Sequence, residues 1–366
     1  MDTTTAAAVT VEPYYSKGSF NPLLGVAGLY NCLAHLWIFG IRRQRNIVQP
    51  LPSLLPSHTG VKKLAIVTGS NTGIGLETAR TLVVDYGWEV VLACRSQDKA
   101  IQAMVEINQQ VTTSGGKAVV LEQALDLSDF QSIQAFTDAI ETQYQDRSVD
   151  VLVNNAGRNT CGKSGKFDVL FQANFLGHFV LTKRLLNKLK GGRIINLSSV
   201  MHHFVGPKPK DTAFWKSVSL FRDSPVHEIY SASKLAAILF TNELNRRYTA
   251  SHKIHSMAVN PGGVSSDIWR GFPTVVQAIF RMVYLTPRQG CSTTVAAAVK
   301  EDWGDATYLQ PYWQPYGEET PAPFTEMIGP YVGYYPVKPR LPKDGGLKDA
   351  SALWKTSEEL TGIAFP

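Results

Sequence analysis

From Lys63 onward, short apolar runs bounded by glycine or polar turns alternate with longer amphipathic stretches, and this alternation constrains the fold more than any other feature of the chain. Strand-like runs occupy 64–69, 88–94, 117–127, 149–157, 191–199 and 253–263. Helical stretches fall between them, notably 96–111, 129–144, 167–190 and 228–250. Leu64 to Thr68 is apolar at nearly every position rather than every second one, the mark of a strand covered on both faces. Strands that alternate with helices form parallel sheets. Beyond Gly290 the pattern loosens. Residues 307–345, rich in Pro, Tyr and Gly, are expected to run irregularly over the surface before a last helix at 350–360.

Right-handed crossovers then predict an α/β fold, a doubly wound, mostly parallel Rossmann-type sheet with helices on both faces. The first strand leads into Gly69-Ser70-Asn71-Thr72-Gly73-Ile74-Gly75, which opens the first helix. Glycines there permit a tight turn and let backbone amides approach a pyrophosphate at the helix N-terminus. Such a string is weak alone and strong in a strand–turn–helix setting. The second strand ends Leu92-Ala93-Cys94-Arg95, with Arg95 where an NAD site places an acid for the ribose 2′-hydroxyl. A guanidinium suits a 2′-phosphate, so the expected cofactor is NADP(H). Asp126, after the third strand, is a candidate for the adenine amino group or for capping the helix from Ser128.

The first sixty residues are of another kind. Residues 22–41 contain no Asp, Glu, Lys or Arg. At about 1.5 Å per residue they are long enough to match a bilayer core. Arg42, Arg43 and Arg45 follow. The positive-inside rule then keeps the remainder of the chain on the cytoplasmic side. The expected organisation is a membrane anchor helix and linker over 1–60, a catalytic domain over 61–300, and a C-terminal extension over 301–366. Spanning, a hairpin and an interfacial position remain open for the anchor. The endoplasmic reticulum or a lipid droplet is the expected site. The four cysteines, Cys32, Cys94, Cys161 and Cys291, have no C-x-x-C spacing, which fits a reducing compartment. A net charge of +6, not gathered into a stripe, gives no sign of nucleic-acid binding. Assembly into homo-oligomers is left open. His178, His202 and His203 have no acidic or cysteine partner at ligand spacing, so no metal is expected.

Tyr230 and Lys234 stand four positions apart in a helical run and so share a helix face. With them, the chain resembles the short-chain dehydrogenase/reductase family over about residues 62–300. The motifs are the glycine turn, Leu125-Asp126-Leu127, Asn154-Asn155-Ala156-Gly157, Asn174 in the central helix, Ser199 ahead of Tyr230 and Lys234, and Asn260-Pro261-Gly262-Gly263. Within the family it is most similar to the retinol-dehydrogenase-like branch, through Leu92-Ala93-Cys94-Arg95, Asn174 to Phe179, Thr286 to Gly290 and Leu353 to Leu360. The resemblance implies a catalytic set of Asn174, Ser199, Tyr230 and Lys234. It implies cofactor contacts at Gly69, Asn71, Thr72, Gly73, Ile74, Gly75, Arg95, Asp126, Leu127, Asn155, Ala156, Gly157, Pro261, Gly262 and Val264, with Tyr230 and Lys234 contributing. The chain departs from the family in the long interval between Ser199 and Tyr230, and in Ser265-Ser266, where a Thr often binds the carboxamide. Val264 or Ser266 is left as the nicotinamide clamp.

The chemistry asked of these residues is definite. Hydride transfer from an alcohol needs a base for the hydroxyl proton. A free tyrosine has a pKa of about 10, so ionising it at pH 7 costs roughly 4 kcal/mol. A nearby ammonium and a nicotinium charge lower that cost. Tyr230 is then acid in reduction and base in oxidation, Lys234 supports it and binds the nicotinamide ribose, and Ser199 holds the substrate oxygen. The family resemblance gives Asn174 a water-mediated proton path to Lys234. The aromatic insert with Phe204, Phe214, Trp215 and Phe221, and the apolar stretch 271–285, are expected to cover an apolar ligand. The expected substrate is a small lipophilic alcohol, aldehyde or ketone of retinoid, sterol or fatty-aldehyde kind. A protochlorophyllide-reductase-like enzyme, distinguished by a light requirement, and a cofactor-sensing scaffold that keeps its function without the Tyr230 hydroxyl, are the alternatives.

Overall fold

The structure, a computed structural model, describes residues 62–205, 210–222, 225–269, 271, 273–300, 302–312, 333–336 and 346–366. The apolar segment 22–41 lies outside the described residues, and no helix among them is long and apolar enough to cross a membrane.

Among the described residues, eight strands form one sheet: β1 (Leu64–Thr68), β2 (Glu89–Ala93), β3 (Lys117–Val119), β4 (Val151–Asn154), β7 (Arg193–Leu197), β8 (His255–Val259), β9 (Tyr308–Tyr312) and β10 (Gly333–Pro336). Their spatial order is β3-β2-β1-β4-β7-β8-β9-β10. All neighbours run parallel except β9 and β10. A separate short hairpin, β5 (Lys163–Ser164) with β6 (Phe167–Asp168), precedes the central helix.

β1 shows why the sheet is covered twice. All five of its residues are buried. Leu64 and Ile66 belong to the core on one face, with Phe136, Phe175 and Phe179. Ala65 and Val67 belong to the core on the other, with Ala79, Leu82 and Val295. Successive side chains of a strand point to opposite faces, so one apolar run of four, Leu64 to Val67, serves both layers. The first layer is built from α3 (Phe130–Gln143), α4 (169–184) and α6 (Val226–His252), and the second from α1 (Gly73–Val84), α2 (Gln97–Gln109) and α8 (Ser292–Val299). α4 is continuous but not uniform: Val169–Phe171 and Gly177–Arg184 are α-helical, and Gln172–Leu176 between them is a π-helical turn. α5 (Thr212–Ser219) and α9 (Leu347–Thr361) pack on the first layer, and α7 (Thr274–Val283) follows β8.

Two expectations are corrected and one is narrowed: the third strand, placed within 117–127, is Lys117–Val119. Beyond it the chain leaves the edge of the sheet, kept in place by Leu125 N–H donating to Cys94 O at 3.0 Å, and turns inward around Asp126. The region 307–345 contains β9 and β10, which extend the sheet, although prolines marked it as irregular. β9 meets β8 only through Tyr308 and Leu309. Pro311 therefore lies past that ladder and Pro336 on the edge strand, positions where a missing N–H is tolerated. Of the aromatic insert, Trp215 is core rather than cover, while Phe204 and Phe221 are exposed. Trp215 on α5 is fully buried, lies 6.4 Å from the Phe171 ring and donates its indole N–H to Asp349 O at 3.3 Å.

Candidate active site

The carboxyl ends of β1, β2, β4, β7 and β8 open on a cavity of about 360 Å³. Every residue singled out above for the cofactor lines it: Gly69, Asn71 to Gly75, Arg95, Asp126, Leu127, Asn155 to Gly157, Tyr230, Lys234, Pro261, Gly262 and Val264. Ser199 lines it too, as does Ser266, the alternative clamp. Asn174 does not, and lies buried behind Gly157.

The glycine turn is shaped by close approach. Gly69 has φ +64°, and a Cβ there would meet Ala156 Cα at 2.9 Å. A Cβ on Gly75 would strike Asn155 Nδ2 and Gly69 O. The Asn155 amide fills that space and donates to Thr68 O at 2.7 Å, so the turn after β4 supports the turn after β1. α1 then starts with no side-chain cap and no acid in its first turn. Its first amides are orphaned by helix geometry and carry the positive end of the dipole. This is a cradle that fits a dinucleotide's pyrophosphate. Within the turn the Ser70 hydroxyl donates to Val67 O at 2.9 Å and the Thr72 hydroxyl to Asp267 Oδ2 at 2.8 Å.

Arg95 stands exposed at the end of β2, against the cavity. Asp126 does not cap α3, whose N-cap is Asp129, accepting from Gln131 N–H at 2.9 Å. Asp126 Oδ1 instead accepts from the Ser128 amide at 2.9 Å and the Ser128 hydroxyl at 2.6 Å, which closes the turn that brings Leu127 to the cavity wall.

On the opposite wall α6 presents Tyr230 and Lys234. Lys234 is buried, donates to Leu197 O at 3.0 Å, and holds Nζ 5.5 Å from the centre of the Tyr230 ring. Burial pulls its ammonium down to about 8. Burial also pushes the Tyr230 phenol up to about 12, and a hydrogen bond with the Ser199 hydroxyl, which favours the ionised phenol oxygen, holds the rise back. The lowering expected from the Lys234 ammonium therefore does not outweigh desolvation within the chain itself. Ser199 also accepts from Met201 N–H at 3.3 Å, so its hydroxyl serves both the helical turn it begins and the phenol.

Asn174 sits in the π-helical turn, and its amide is fully engaged. Oδ1 accepts from Arg158 N–H at 2.8 Å, and Nδ2 donates to Arg158 O at 2.9 Å and to Ser233 Oγ at 3.2 Å. A Cβ on Gly157 would lie 3.5 Å from Asn174 Oδ1 and 3.6 Å from Lys234 Nζ, so the two groups converge beneath that glycine. Sequence reasoning missed Arg158, Met201 and Trp269, which also line the cavity. Arg158 directly follows Asn-Asn-Ala-Gly, and that adjacency was the available signal. Trp269 had none, because it reaches the cavity by a loop whose course is set by Leu285 N–H bonding Gly263 O at 2.8 Å and Trp269 Nε1 bonding Val264 O at 2.8 Å.

Residues 63–208 match the family model of the short chain dehydrogenases. Retinol dehydrogenase 11 of Mus musculus is 38% identical over 254 residues, 65% of this chain and 74% of the relative. Retinol dehydrogenase 12 of Homo sapiens is 34% identical over 317 residues, 83% of this chain and 87% of the relative. Among solved structures, an alcohol dehydrogenase from the archaeon Thermococcus sibiricus complexed with 5-hydroxy-NADP is 22% identical, with a TM-score of 0.48 over 64% of this chain and 90% of its own. The chain belongs to the short-chain dehydrogenase/reductase family, in its retinol-dehydrogenase-like branch, and is an NAD(P)-dependent oxidoreductase.

Proposed function

We propose that the protein is an NADP(H)-dependent oxidoreductase that interconverts a lipophilic alcohol and its aldehyde or ketone, with Tyr230 as acid and base. The observation that carries this reading is that Ser199, Tyr230 and Lys234 share one cavity with the glycine turn. When bound, the dinucleotide would supply the hydride in reduction and take it up in oxidation. Ser199 orients the substrate oxygen toward the phenol, Tyr230 exchanges a proton with that oxygen, and Lys234 holds positive charge beside it. Asn174 keeps the backbone of Arg158 and the start of α6 in register with the cavity. NADP(H) is favoured by the exposed Arg95, which can pair bidentately with a 2′-phosphate. Met201, Ile268 and Trp269 line the same cavity and suit an apolar substrate. Relatives that carry the name retinol dehydrogenase support a retinoid-, sterol- or fatty-aldehyde-like compound.

The division into an anchor over 1–60, a catalytic domain over 61–300 and an extension over 301–366 belongs to this proposal. So does membrane association through residues 22–41, with the catalytic domain in the cytosol at the endoplasmic reticulum or a lipid droplet. The test is a spectrophotometric screen of purified protein with NADPH against lipophilic aldehydes and ketones. Turnover by the native protein should fall at least ~100-fold in Tyr230→Phe, the loss typical of removing an acid/base. Retained turnover in that variant refutes the mechanism.

A further inference from the structure

His178 lies one helical turn beyond Asn174, is buried, and bridges two elements that the reaction needs in register. Its Nδ1 is 3.2 Å from the main-chain oxygen of Asn174 and its Nε2 is 2.9 Å from Thr68 Oγ1. Thr68 is the last residue of β1, immediately before the glycine turn. Its hydroxyl oxygen accepts the amides of Asn155 and Ala156, each at 2.9 Å, and so seats the turn after β4.

These contacts fix where the protons are. A carbonyl oxygen only accepts, so Nδ1 of His178 carries hydrogen. Two amides already occupy the lone pairs of Thr68 Oγ1, so its single proton must be donated. Val153 O at 3.3 Å is the more distant taker, and Nε2 of His178 at 2.9 Å is the nearer. The imidazole therefore accepts at Nε2, donates at Nδ1 and is neutral. Burial, with a smaller push from the Lys234 charge, draws its pKa down to about 4, in agreement with that state.

We propose that His178 is a positioning residue: as the Nδ1–H tautomer it couples the carbonyl of Asn174 in the π-helical turn to the Thr68 hydroxyl that seats Asn155 and Ala156, so one imidazole sets both the catalytic helix and the floor of the cofactor site. The residue touches neither substrate nor cofactor. It acts through Asn174 on one side and through Thr68 on the other. Its two nitrogens have separate duties, and these can be separated by substitution. Asn places an amide N–H where Nδ1 is, and Gln places an amide oxygen where Nε2 is.

The inference rests on the functional reading above only for its turnover measurement. In full-length protein labelled with ¹⁵N-histidine, the signal lost in His178→Asn identifies His178, and it should report a neutral Nδ1–H ring at pH 7. An Nε2–H ring or an imidazolium overturns the proposal whether or not any substrate is turned over. His178→Leu should weaken NADPH binding, read by nicotinamide fluorescence, and lower kcat, each by about tenfold, the scale of one hydrogen bond in positioning. His178→Gln should recover NADPH affinity but not kcat, and His178→Asn should recover kcat but not NADPH affinity. If the Leu variant fails to fold, the contrast between the Gln and Asn variants carries the comparison. Leu behaving as native, or Gln and Asn restoring both quantities equally, overturns it. A native protein that turns over no carbonyl compound refutes the functional reading and leaves the tautomer and NADPH-affinity results standing.

Discussion

Asn174 grips Arg158 by both of its main-chain groups, Oδ1 taking the amide hydrogen at 2.8 Å and Nδ2 bonding the carbonyl at 2.9 Å. Both main-chain groups of a residue on the loop after β4 are thereby satisfied as if it were in a sheet, but by a side chain from α4. The loop turns at Gly157, directly over Lys234, so its height above the ammonium is set by this clamp.

Replacing Asn174 by Leu keeps the volume and removes both bonds. Two part-buried main-chain groups of Arg158 lose their side-chain partner, which costs about 1–3 kcal/mol. The denaturant midpoint should fall and kcat should fall with it. Asn174→Asp, which keeps an acceptor for the Arg158 amide, should be less severe on stability. Equal stabilities of native and Leu proteins by urea unfolding would remove the clamp from the account.

Opposite pH dependences are expected for the two directions of reaction. Oxidation of an alcohol needs the Tyr230 phenolate, and burial pushes that phenol up to about 12. The oxidation rate should therefore rise with pH up to about 8, where Lys234 begins to lose the charge that supports the phenolate, and level off above it. Reduction needs the phenol, which stays protonated throughout that range. Lys234, drawn down to about 8, loses its charge as pH rises through that value, so reduction should decline above it. Profiles of kcat/KM measured both ways should slope apart above pH 8, and parallel profiles would contradict these assignments.

Much of this was legible in the sequence wherever the relevant partners are close in the chain. Tyr230 and Lys234 share a face by helical spacing, and the turn from Gly69 to Gly75 is defined by one strand and one helix. What was illegible depends on partners far away. Trp215 is core rather than cover because α5 meets Asp349 of α9. Asn174 clamps Arg158 because α4 passes under the loop after β4. Pro311 looked like a loop residue and is in a strand because β9 outruns its neighbour β8. Thr68 drew no notice as a threonine at a strand end, yet its hydroxyl joins two turns and an imidazole.

Lys234 should be a liability to the fold. Its pKa is depressed from 10.5 in the unfolded chain to about 8 in the native state. Between those values the unfolded chain binds more protons, so this group's contribution rises with pH there, is complete above about 10.5, and is lost as pH falls through about 8. At pH 7 the buried ammonium is destabilising. Lys234→Met removes that charge and also the bond to Leu197 O. The net gain is on the order of 1–2 kcal/mol. A higher Tm at pH 7 together with lost turnover is the expected pair of results, and a lower Tm would show that the ammonium is better solvated than its burial implies.

Gly75→Ala tests the cradle without touching any proposed proton donor. The added methyl would collide with Asn155 Nδ2 and with Gly69 O, one a side chain pinned by Thr68 O and the other main chain, so neither can retreat cheaply. Overpacking of this kind costs about 1–3 kcal/mol. If α1 shifts to relieve it, the first amides of the helix move away from the pyrophosphate position, and NADPH affinity should fall about tenfold or more. Substrate-independent titration of NADPH fluorescence reads this directly. Asn155→Ala in the same background should restore part of the affinity by removing one of the two obstacles, and a double variant no better than Gly75→Ala alone would place the whole clash on the Gly69 carbonyl.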